Sequence, residues 1–65
     1  MMSEQTMTIL SKMDKMNTSE IVEFACDDEA EFASVRASYA TAIKHLPNKT
    51  FGITKRGNSL FVMRE

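Results

Sequence analysis

The clearest hydrophobic pattern in this 65-residue chain lies at its end. Thr50 to Lys55 and Ser59 to Arg64 are two short apolar-rich runs that meet at Arg56-Gly57-Asn58. Gly-Asn between alternating segments is a two-residue hairpin signal, because glycine at the first central position suits a type II′ turn. Such a turn pairs Arg56 with Ser59, Thr54 with Phe61 and Gly52 with Met63. Phe51, Ile53, Leu60 and Val62 then share one face, and Thr50, Gly52, Thr54, Phe61 and Met63 share the other. A lone hairpin is marginal in water, so the rest of the chain must cover it.

A second pattern has the helical period. Phe32, Val35, Tyr39, Ile43 and Leu46 recur at spacings of three and four, which predicts one helix over about 27–46 with a single apolar stripe. Asp27 or Asp28 supplies the cap, and Asp28, Glu29 and Glu31 sit at the positive end of the helix dipole. Lys44 and His45 suit the last turn, and Pro47 stops the helix. Its flank of Ala30, Ala33, Ser34, Ala37, Ser38 and Thr41 is small enough for close approach by a second copy, although alanine is equally an ordinary helix former.

Two segments are less decided. Glu20 to Cys26 reads as a strand with Val22, Phe24 and Cys26 on one side and Ile21, Glu23 and Ala25 on the other. Asn17 with Glu20 resembles a capping box, so a short helix over 18–25 competes. In residues 1–17, Met7, Leu10, Met13 and Met16 fall about three apart behind a Ser3 cap, which permits a short helix; a mobile arm is the other reading.

Together these elements predict an α+β fold. Residues 18–65 form a single β-α-β-β domain, one long helix on an antiparallel sheet with the hairpin at 50–55 and 59–64, preceded by the N-terminal arm or short helix. The rival is a winged helix, with 4–16 and 18–25 helical and the long helix reading DNA. Four acids at the start of that helix, where a recognition helix presents residues to bases, count against it.

Composition narrows the class. An apolar fraction of 43% suits a globular domain, and the size allows only a small core. Cys26 is the single cysteine, so no internal disulfide forms and a reducing cytoplasm is the simplest location. No apolar run approaches the roughly 18 residues that span a bilayer. The first residues lack the basic-then-apolar order of a signal peptide. Net charge is −1, yet residues 1–35 carry eight acids against Lys12 and Lys15, while residues 36–65 carry six bases against Glu65. That asymmetry allows a basic surface on a nearly neutral protein. It is equally met by opposite charges pairing in the fold or sitting in water.

From Ser19 onward the chain resembles a loose group of very small phage-encoded proteins. The features are Ile21-Val22-Glu23-Phe24, then Cys26-Asp27-Asp28 opening a helix, Ser34 to Tyr39 within it, Lys49-Thr50-Phe51, and the ending Gly57 to Arg64. Related sequences tend to place an aromatic before the closing arginine, where this chain has Met63. The resemblance implies a phage or mobile-element setting, hence a host-cell cytoplasm, and no established activity; it carries over no site residues.

Nothing points to catalysis, a metal or a cofactor. His45 reads as a solvated or capping residue, Cys26 as a small buried hydrophobe, and the acidic group at 27–31 lacks the glycine and spacing of a calcium loop. Binding is the better class. Lys49, Lys55, Arg56 and Arg64 lie in or beside the hairpin, with Arg36 and Lys44 on the helix. Lys55 and Arg56 at the tip are placed to reach a phosphate backbone, and Phe61 to stack on a base. This nucleic-acid reading needs the tip to stand clear of the acidic helix start. The alternative is a module that docks on a host protein and modulates it through Phe61 and Met63, on the face turned away from the helix, and through free strand edges. Either residues 7–16 cover that face or a partner does. Homodimerisation fits both readings.

Overall fold

The computed structural model describes residues 2–65, in the order α1 (Glu4–Asp14), β1 (Ile21–Phe24), α2 (Glu29–Ile43), β2 (Phe51–Arg56), β3 (Ser59–Arg64). The α+β expectation holds. The three strands form one antiparallel sheet in the order β1-β3-β2, so the last strand of the chain is the central one. The hairpin register is the predicted one, with Arg56 opposite Ser59, Thr54 opposite Phe61 and Gly52 opposite Met63. Gly57 has φ +58° while Asn58 stays at negative φ, the pattern of a turn needing a left-handed residue only at its first central position.

Residues 21–24 are strand, which removes the second helix that a winged helix required. The Asn17–Glu20 signal is nonetheless real. The Asn17 N–H donates to the Glu20 carboxylate at 2.8 Å, and Glu20 N–H returns to the Asn17 carbonyl at 3.0 Å. These bonds close a turn instead of opening a helix. Ser19 at φ 72° redirects the chain, and its N–H joins the Arg64 carbonyl, docking the turn beside β3.

Both helices begin on side-chain caps. Ser3 Oγ accepts from the Thr6 N–H at 3.1 Å, so residues 2–14 are mostly helix and not an arm; Met1 of that segment lies outside the described residues. Asp28 Oδ1 accepts from the Glu31 N–H at 2.8 Å, and the Glu31 carboxylate accepts from the Asp27 N–H at 3.3 Å. Replacing Asp28 with Ala orphans that donor and weakens the dipole match. A loss of about 1 kcal/mol is expected, seen as a lower urea midpoint with an unchanged slope. α2 is shorter than the predicted 27–46. After Ile43 the chain tightens into i→i−3 turns, with Lys44, His45 and Leu46 donating to Thr41, Ala42 and Ile43, before Pro47 ends the run.

Ile9, Met13, Met16, Val35, Tyr39, Ala42, Leu60 and Val62 form the core. α1 and α2 therefore lie on the same side of the sheet. α1 rests against the small side of α2, where Gln5 Nε2 donates to Ser34 Oγ at 3.1 Å and Ser38 Oγ at 2.9 Å. Two corrections follow. The buried face of α2 is Val35, Ser38, Tyr39 and Ala42, because the helix packs on α1 as well as on the sheet. Ile43 is left 36% exposed at the rim. Ser34 and Ser38, read as a flank for a second copy, receive α1 instead.

Candidate functional site

With both helices on one side, the opposite side of the sheet stays open. Its residues follow from the register. Ile21 on β1 stands opposite Met63 on β3, which stands opposite Gly52 on β2; one row along come Glu23, Phe61 and Thr54. Arg56 and Ser59 make the next row at the hairpin end. Residues 7–16 do not cover this face, since Ile9, Met13 and Met16 are spent in the core on the other side. Ile21 is 61% exposed and Met63 39%, with half-buried Phe61 beside them on the central strand.

The face is uneven in relief. Gly52 has no side chain, and a shallow hollow of about 200 Å³ lies among Ile21, Gly52, Thr54, Phe61 and Met63. The Glu65 carboxylate borders it, since a Cβ built on Gly52 would come within 2.8 Å of Glu65 Oε2. Two acids, Glu23 and Glu65, therefore flank Phe61 and Met63, and the one base in these rows is Arg56 at the far end. Ile21 and Glu23 are the members of this face that reading the hairpin alone missed. Their parity along β1 was legible, but which strand β1 joins was not, and only pairing with β3 puts Ile21 beside Met63.

The six cations do not converge. Lys49 Nζ is bound to Asp14, at 3.0 Å from Oδ1 and 2.8 Å from the backbone carbonyl, tying the β2 entrance to the end of α1. Arg64 lies on the helix side with its guanidinium 5.9 Å from the Phe51 ring, and its Nη1 donates to the Glu65 carbonyl. Arg36 stacks 5.5 Å from the Tyr39 ring on the outer surface of α2, and Lys44 is exposed at that helix's C-cap. At the hairpin tip the two cations part. Lys55 shares the parity of Ile53 and sets its ammonium 4.8 Å from the Phe32 ring, in the acidic first turn of α2. Arg56 points to the open face. Lys55 is thus turned toward the acidic helix start and Arg56 away from it, and both remain exposed. The tip and the Lys49–Arg64 end are separated by the length of β2, roughly 17 Å.

The chemistry of the remaining groups is quiet. Cys26 has its S–H directed at the Phe24 carbonyl at 3.6 Å. Burial pushes its thiol pKa up, and the charges of Glu31, Asp27 and Asp28 push it further, which suppresses the nucleophilic thiolate. Burial likewise raises the Tyr39 phenol, helped by Glu65 and opposed by Arg36. Among the described residues no group of three His, Cys, Asp or Glu side chains is placed to hold a metal ion, and no helix is long and apolar enough to cross a membrane. Comparison with protein-family models, curated proteins and solved structures finds no match.

Proposed function

We propose that this chain is a small non-enzymatic accessory protein, of phage type, that acts by protein contact through the open side of its sheet. The observation that supports this most is the juxtaposition of Ile21, Phe61 and Met63 on adjoining strands, apolar and in register, on a face that neither helix touches. Large apolar side chains grouped on an otherwise polar surface are the mark of a contact site. The flexible thioether of Met63 adapts to irregular partner surfaces. Glu23 beside Phe61 and Glu65 near Gly52 and Met63 work against a phosphate backbone, and the ties of Lys49 to Asp14 and Lys55 to Phe32 weigh against the single basic patch that the nucleic-acid reading calls for.

A photo-crosslinking residue in place of Phe61, compared with one in place of the exposed Thr8 on α1, tests this in the producing cell. Protein adducts specific to position 61 and insensitive to nuclease are the expected result. Adducts that nuclease destroys, or equal labelling at both positions, reject the reading and return the choice to nucleic acid.

A further inference from the structure

The open face has a shape and charge pattern that is complementary to itself. Its first row reads large, large, empty: Ile21, Met63, Gly52. Its second row puts an acid, Glu23, on the β1 side, and the third puts a base, Arg56, on the β2 side. Consider a two-fold axis parallel to β3, passing between two such faces packed about 10 Å apart. It lays β1 of each copy over β2 of the other. Ile21 then stands over the hollow at Gly52 of the second copy, and this happens twice. Glu23 stands over Thr54 of the second copy, with Arg56 two residues further along the same strand, about 7 Å away and within reach of a long side chain. Phe61 meets its own counterpart near the axis.

The other in-plane two-fold, perpendicular to the strands, lays β1 on β1 and β2 on β2, so Ile21 never stands over the Gly52 hollow. Relief therefore selects one arrangement of the two, in which the Glu23–Arg56 approach, made twice, opposes a single repulsion between the two Glu65 carboxylates beside the axis.

Resting on the protein-contact reading above, we infer that the occupant of the open face is a second copy of this chain, packed sheet to sheet with Ile21 of each copy seated at Gly52 of the other. The assembly is an isologous dimer with the helices outside and Phe61 at its centre. The exposed end of the Glu65 side chain rotates off the hollow to admit Ile21. The face is small, three strands wide, so the dimer belongs to the weak class and populates with concentration.

Cysteine pairing reads the arrangement directly. In a Cys26→Ala background, chains carrying Ile21→Cys are mixed with chains carrying Gly52→Cys and treated with a short bismaleimide, whose span of roughly 8 Å suits facing sheets about 10 Å apart, a gap that a disulfide does not bridge. Gly52 does not have positive φ and only the end of the Glu65 side chain stands near it, so a side chain is tolerated there. The mixed adduct should form about tenfold faster or more than either adduct between like chains, because only the unlike positions face each other. Equal rates for all three overturn the proposed register. Sedimentation of the unmodified protein from about 10 µM to about 1 mM should show a rising dimer fraction, lost in Ile21→Arg while the circular dichroism is unchanged. A monomer throughout that range overturns the dimer. If position 61 then still crosslinks to a different protein, protein contact survives with another occupant; if it crosslinks to nothing, both fall.

Discussion

A chain shortened to residues 18–65 is expected not to fold. Residues removed with α1 include Ile9, Met13 and Met16, which are 3%, 0% and 6% exposed and make up three of the eight core positions. Burying one such side chain is worth about 1.5–3 kcal/mol, so their joint removal costs roughly 5–9 kcal/mol. A 65-residue domain holds only about 3–10 kcal/mol in total. Loss of α1 also bares Tyr39, Ala42 and the Ser38 hydroxyl to water and leaves Lys49 without Asp14. The truncated chain should give a collapsed amide proton spectrum and no cooperative thermal transition. Dispersed amide resonances from it would show that α1 is an appendage and the β-α-β-β unit is self-sufficient.

Neighbouring residues of β3 should respond to truncation in opposite ways. Leu60 is 1% exposed on the central strand, enclosed by residues of both helices and the sheet, and Leu60→Ala leaves a cavity that a small core cannot collapse to fill. A loss of about 2–5 kcal/mol is expected, enough to unfold a large fraction of the protein at 37 °C. Met63→Ala, on the open face at 39% exposure, should cost less than about 1 kcal/mol in the monomer. Urea titrations of both variants at low concentration check the pair. Equal losses would mean that the open face is as enclosed as the core and would remove the basis for assigning contact to it.

Much of this architecture was legible from local chemistry. The hairpin register follows from Gly57-Asn58 and period-two alternation, and α2 follows from Asp28, the three-four spacing and Pro47. What local pattern does not encode is the arrangement between elements. Whether residues 7–16 cover the open face or the core face was decided by the packing of α1 beside α2, where Gln5 meets Ser34 and Ser38, two small polar residues with no distinctive periodicity. The exposure of Ile43 has the same origin, since a helix with two neighbours buries a face between them. The candidate site was half visible. Phe61 and Met63 stand out by parity along β3, but Ile21 joins them only through a pairing across 42 residues. The separation of Lys55 from Arg56 was implicit in strand alternation; the contact of Lys55 with Phe32 was not.

The placement of β3 between β1 and β2 has a consequence for synthesis. Phe24 pairs with Leu60, 36 residues later, and both neighbours of the sheet's middle lack a partner until the final segment exists. Closing so long a loop is slow compared with forming the helices, which therefore precede the sheet. The nascent chain carries Ile21, Val22 and Phe24 unpaired until Leu60–Met63 has emerged from the ribosome. Formation of the sheet is thereby deferred until Ser59–Arg64 is free to pair, and a chain that stops before this segment has no sheet at all.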